Sequence, residues 1–479
     1  MILARLALAA LLASLAPLAP FARELPAPVR SALHDAGVPL SAVAVRVEPV
    51  EGGPVLLSHR EHEAMNAASV MKLVTSEAAL ELLGPAFRFH TDVLVDGTLE
   101  DGVLRGNLVL RGGGDPKLTY ERLWQVAQRL RARGLREIRG DVVVDRGYFA
   151  PATYDRAKFD GRPRRAYNVP PDALLVNFGA VDFTFVPEAD AVRVVAEPNL
   201  PNVIVTSRIH RVPGSCNGWR HGLRYDVREE GLVATVAFTG DYPEACAEES
   251  WPLALFDTRG YFESALRWIW SEAGGKLDGR VRAGTVPESA RLFYREESEP
   301  LARLLRDMNK WSNNVMARQI FLALSAEAGG GGGTEARSAD IVRAWLAANR
   351  IEAPELVLDN GSGLSREGRV SAATLAALLR HAWAAGTMPE LAASLPIFAV
   401  DGTFREHPAA QALGRAHVKG GTLDGVQALA GYVLDRAGKR WVVVMLVNHE
   451  NANRAQDALD ALVEWVSERG APRARRSRR

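Results

Sequence analysis

Ser69 and Lys72 stand three residues apart at the head of a strongly helical stretch, residues 70–83. On a helix, positions i and i+3 share a face, so a hydroxyl and an amine placed there can meet. The free N–H groups and positive dipole end of a helix start suit a serine nucleophile. An amine can serve as its base only if burial or a neighbouring cation lowers its proton affinity. The chain has seven lysines among its 58 basic residues, so arginine is its default cation. A lysine inside an apolar helix therefore points to a task that an always-charged guanidinium cannot perform.

Two further stretches carry the same kind of chemistry. Ser312 and Asn314 open another apolar helix, where a hydroxyl can relay a proton and an amide can hold a lysine or a substrate carbonyl. Lys419, Gly420, Gly421 and Thr422 precede a strand-like run, and glycines on a strand let another chain or a ligand lie against the backbone. Ser215 and Asn217 repeat the Ser-x-Asn spacing beside Cys216, but head no helix. Taken singly, each stretch also fits a blander role: a helix cap for Ser69 or Ser312, and a turn lysine for Lys419.

The elements that must position these residues follow from periodicity. Residues 41–59 alternate around Glu51-Gly52-Gly53-Pro54 as a hairpin. From residue 87 to about 239, short β-like runs separated by Gly, Pro and Asp turns are interrupted by one helix, 120–133. Helical texture returns from residue 251, and residues 418–434 and 440–447 read as two strands before a closing helix, 453–469. The expected fold is α/β (α+β): one domain built from residues 24–87 and 251–470, with a β-rich insertion at 88–250.

The 479 residues are 47% hydrophobic, enough for a large core, and the net charge of +1 argues against a nucleic-acid binder. Residues 1–23 read as a signal peptide, with a retained anchor as the rival, so the expected location is exported and periplasmic. Residues 471–479 read as a basic solvated tail, with peripheral contact to an anionic membrane surface as the rival. Cys216 and Cys246 are the only cysteines and read as one disulfide, with two buried thiols as the alternative. The ten histidines are scattered, so neither a metal nor another cofactor is expected.

In order along the chain, Ser69-x-x-Lys72, Ser312-x-Asn314 and Lys419-Gly420-Gly421 resemble the motifs of the penicillin-recognising serine enzymes. The long interval between the first two resembles, more specifically, D-alanyl-D-alanine carboxypeptidases/endopeptidases of the penicillin-binding protein 4 type. Residues 111–116 (RGGGDP), 167–171 (YNVPP), 359–365 (DNGSGLS), 400–403 (VDGT) and 428–432 (ALAGY) add to that likeness.

The resemblance implies a transpeptidase-like domain with a central antiparallel sheet flanked by helices, acting on peptidoglycan peptides and acylated by β-lactams. It implies Ser69 as nucleophile, Lys72 as base, Ser312, Asn314 and Lys419 as proton relay and scaffold, and an oxyanion between the N–H groups of Ser69 and Thr422. One position departs: Gly420 stands where the family has Thr or Ser, whose hydroxyl helps bind the substrate carboxylate. Thr422, two residues along the same strand face, is the expected substitute. A β-lactamase or esterase on the same scaffold, and a non-catalytic cell-wall binding homologue, are the rival functions.

Overall fold

The computed structural model describes residues 24–408 and 410–470. The leader and the basic tail expected from the sequence lie outside the described residues. No described helix is long and apolar enough to cross a membrane.

A five-stranded antiparallel sheet joins the two ends of the chain. Its order is Ala416–Leu423, Val426–Leu434, Arg440–Asn448, Val43–Pro49 and Leu57–His59. Strand Arg440–Asn448 shows why the sequence folds this way. Val442, Val444 and Leu446 face one core, while Val443, Met445 and Val447 face another. A strand covered on both faces reads as an unbroken apolar run rather than an alternation. Helices Ala27–Asp35 and Gln456–Ser467 cover one face. The helices Lys72–Leu82, Leu301–Lys310, Asn314–Glu327, Glu335–Ala348 and Ala372–Ala384 build the core on the other.

The run read as one strand over 418–434 is two, folded back at Asp424-Gly425, with Thr422 opposite Gln427. Gly425 adopts φ +77°, the left-handed conformation that lets a two-residue turn close.

The β-rich part contains a seven-stranded sheet and two three-stranded sheets around a separate core. It extends further than the sequence texture indicated. Helix Thr258–Glu272 packs into that core through Tyr261, Phe262 and Ile269. Strand Arg291–Glu297 pairs with His90–Glu100. The return therefore falls near Ser298 rather than residue 250, because a helix and three short strands, Lys276–Leu277, Val281–Ala283 and Arg291–Glu297, pair and pack with this part. Cys216 and Cys246 form a disulfide within it. The departing and returning segments are sewn together. Ser298 N donates to Phe89 O at 2.8 Å, Leu301 N donates to Phe87 O at 2.8 Å, and Phe89 N donates to Ser298 Oγ at 2.9 Å.

Candidate active site

Ser69 lies in a single 3-10 turn, Ala68–Met71, that leads directly into helix Lys72–Leu82. The turn is held in an unfavourable shape, with Ala68 at φ +45°. Local structure over-determines it. Ala68 N donates to Asn66 Oδ1 at 2.8 Å, and Asn66 Nδ2 donates to Ser365 O at 2.9 Å. Lys72 follows as the first residue of the helix and is fully buried.

The three sequence motifs converge on one cleft. Lys72 Nζ lies 2.9 Å from Ser69 Oγ, 2.6 Å from Asn314 Oδ1 and 2.6 Å from Ser362 O. Lys419 Nζ lies 2.9 Å from Ser312 Oγ and 2.7 Å from Gly420 O. Ser312 also sits at positive φ, +56°, between two helices, and Asn313 caps the second by accepting from Met316 N at 3.0 Å. Ser69, Ser312, Asn314, Gly421 and Thr422 open onto a cleft of about 300 Å³. Ser215 and Asn217 lie elsewhere, beside the disulfide of the β-rich part.

The close approach depends on glycine. A Cβ at Gly421 would lie 2.5 Å from Ala67 O and 2.9 Å from Ser69 N. The edge strand Ala416–Leu423 can therefore press its backbone against the turn that carries Ser69 only without a side chain there. Gly363 plays the same part from the other side, where a Cβ would lie 1.9 Å from Ala68 O.

The electrostatics favour a neutral amine. Burial, then the cations Lys419 and Arg318, holds the Lys72 amine well below the usual lysine range. Burial pushes Lys419 down to about 7.

The motif 359–365 gives the reason for its presence: Ser362 O receives Lys72, and Gly361 O accepts from Thr75 Oγ1 at 2.6 Å. The motif 400–403 is anchored through Asp401, which takes Lys310 Nζ at 2.6 Å and Ile397 N at 2.7 Å. Arg318, one turn beyond Asn314, was invisible as a functional residue, because a single arginine on an apolar helix carries no spacing signal. In the middle of helix Lys72–Leu82, Glu77 is buried, and its carboxyl is raised to about 7 by burial and by Glu81. Glu81 in turn meets His381 at 2.7 Å and Trp345 Nε1 at 2.8 Å. These three titratable groups are a cluster that the scattered histidines of the sequence did not suggest.

Thr422 departs from expectation. Its hydroxyl donates to Gln427 Oε1 at 2.9 Å, on the neighbouring strand. It is therefore not free to replace the hydroxyl missing at Gly420.

With this geometry in place, comparison with known proteins is decisive. The family model "D-Ala-D-Ala carboxypeptidase 3 (S13) family" matches residues 25–469. The chain belongs to that family. A D-alanyl-D-alanine carboxypeptidase of Actinomadura is 30% identical, across 95% of this chain and 87% of that protein. D-alanyl-D-alanine carboxypeptidase DacB of Haemophilus influenzae is 24% identical, covering 85% of each chain. The crystal structure of penicillin binding protein 4 (dacB) from Haemophilus influenzae superposes with a TM-score of 0.74 at 22% identity. It covers 91% of this chain and 99% of that one. The S13 fold thus spans essentially all described residues, the β-rich part included.

Proposed function

We propose that this S13 family member is an exported serine enzyme that cuts the terminal D-Ala–D-Ala amide of peptidoglycan stem peptides, and the equivalent amide in peptide cross-links. One observation carries the reading: a fully buried lysine bridges Ser69 Oγ and Asn314 Oδ1 while two cations stand near it.

The neutral Lys72 amine takes the proton of Ser69 as Oγ attacks the amide carbon. A C–O bond forms, and the carbonyl oxygen becomes an oxyanion between the N–H groups of Ser69 and Thr422. A donor at such a site is worth about 3–4 kcal/mol in the transition state. The tetrahedral species then collapses and the C–N bond breaks. The proton that Lys72 took from Ser69 passes through Ser312, backed by Lys419, to the departing amine, leaving the acyl group esterified to Ser69 and Lys72 neutral again. Water, deprotonated by the neutral Lys72 amine, then attacks the ester carbon; the acyl C–O bond breaks and Lys72 returns the proton to Ser69 Oγ. A β-lactam presents the same amide in a strained ring and acylates Ser69, but its leaving group stays attached.

Residues 24–87 and about 298–470 carry this chemistry, and the β-rich part frames it. Incubation with muropeptides, followed by mass spectrometry, tests the reading. Loss of one terminal alanine, or conversion of dimers to monomers, is expected from the wild type and absent from Ser69→Ala. Unchanged muropeptides with the wild type would overturn it.

A further inference from the structure

Gly420 sits beneath the ring of Phe404. A Cβ at 420 would lie 3.0 Å from Phe404 Cζ and 3.1 Å from Cε2. The volume that a threonine would use is filled by a buried phenylalanine. The wall of the cleft next to Lys419 therefore lacks one hydroxyl, and Thr422 does not supply another.

Thr422's bond is the first of a continuous chain. Thr422 Oγ1 donates to Gln427 Oε1, Gln427 Nε2 donates to Gln456 Oε1, and Gln456 Nε2 donates to Asp460 Oδ1 at 2.8 Å. The direction of the chain is set at its far end. A carboxylate only accepts, so Gln456 must turn its NH₂ toward Asp460, which turns Gln427's oxygen toward Thr422. The Thr422 proton is thereby committed.

Asp460 is also the partner of His407, whose Nδ1 lies 3.1 Å and 3.2 Å from its two oxygens. The His407 ring packs against Phe404, with centroids 4.5 Å apart and the planes tilted by 41°. His407 and Thr403 both line the cleft, and neither His407 Nε2 nor the Thr403 hydroxyl has a hydrogen-bond partner among the described residues. Among the residues whose surface lines the cleft, His407 is the one that can carry a positive charge, the buried Lys72 and Lys419 standing behind Ser69 and Ser312.

We propose that His407, held by Asp460 and assisted by the Thr403 hydroxyl, binds the carboxylate of the residue released from the substrate, in place of the hydroxyl absent at Gly420. This inference rests on the peptidase reading above and names the group that selects a free C-terminus. An imidazolium between Asp460 and a substrate carboxylate donates one N–H to each. Phe404, Gly420 and His407 act as a set: the ring that closes the space over the glycine also orients the imidazole.

The test is steady-state hydrolysis of a stem pentapeptide ending in D-Ala-D-Ala by the full-length wild type, His407→Gln and His407→Arg. His407→Gln is expected to raise KM about 10-fold with little change in kcat, as when one charge-assisted hydrogen bond is removed from ground and transition state alike. His407→Arg restores a cationic donor and is expected to hold KM within about 3-fold of the wild type. An unchanged KM in His407→Gln, an equal loss in both variants, or a fall in kcat alone would overturn the proposal. A wild type that neither turns over the peptide nor is labelled by a fluorescent penicillin would instead overturn the peptidase reading, and this inference with it.

Discussion

Lys72 Nζ and Asn314 Oδ1 lie 2.6 Å apart although 242 residues separate them in the chain. That hydrogen bond welds helix Lys72–Leu82 to helix Asn314–Glu327. It also fills one of the few hydrogen-bonding positions of a buried amine, leaving another for Ser69.

Replacing the amine with an always-charged group tests its role. Lys72→Arg is expected to lower the acylation rate by about 10²–10⁴-fold, the range of a lost general base. The rate of covalent labelling by a fluorescent penicillin measures it, with Ser69→Ala as the unlabelled reference. Labelling of Lys72→Arg at the wild-type rate would exclude proton transfer to a free amine.

The cations beside Lys72 set its proton affinity. Lys419 and Arg318 both disfavour the ammonium form, so Arg318→Gln should raise the Lys72 pKa. A higher pKa keeps the amine protonated to higher pH, and the acid limb of the acylation-rate profile is expected to move upward in pH. A limb that stays in place or moves down would contradict this assignment of the charge.

Burial of Lys419 has a matching effect on stability. Its folded-state pKa is about 7 against an ordinary value of 10.5, so between these pH values the unfolded chain binds a proton that the folded protein does not. Its contribution to folding therefore becomes more favourable as pH rises through that window. Chemical denaturation from pH 7 to 10 is expected to show a steeper rise in stability for the wild type than for Lys419→Met.

Gly421→Ala places a methyl group against Ala67 O and the Ser69 amide. Either the edge strand or the nucleophile turn must shift, at about 1–3 kcal/mol. Labelling is expected to fall well beyond what that loss of stability explains, because the displaced atoms are the reacting ones. A stable, fully labelled Gly421→Ala would show that the strand and the turn can move apart freely.

The disulfide should be separable from the chemistry. Cys216 and Cys246 close a loop of 30 residues wholly within the β-rich part. Paired replacement by serine is expected to remove about 2–4 kcal/mol from that part's stability. Differential scanning calorimetry should record the loss, while penicillin labelling below the transition stays at the wild-type rate.

The groups that meet in the cleft were legible in the sequence because each carries a fixed local spacing: Ser69 and Lys72 stand one turn apart, and Ser312 and Asn314 flank a helix start. The sheet between the cores was legible for the same reason, since strand 440–448 is apolar at every buried position. What escaped was set by tertiary structure. Strand Arg291–Glu297 alternates too weakly to stand out from a loop, and only its pairing with His90–Glu100 identifies it. The role of Thr422 was misjudged because strand position gives the direction of a side chain but not the partner of its hydroxyl. Gln427, five residues away across a turn, decides that. Ser362 contributes through its carbonyl, which no residue type announces.

The stitched junction between Phe87 and Leu301 also bears on ancestry. A chain whose departure and arrival points already touch can lengthen or shorten the excursion between them without moving either end. The entropy of closing so long an excursion grows only slowly with its length, and backbone bonds at the neck offset it. Gene rearrangement can therefore vary the outer sheets, provided it keeps the stretch around Asp172, which Gln319 of the helix carrying Asn314 grips through two hydrogen bonds.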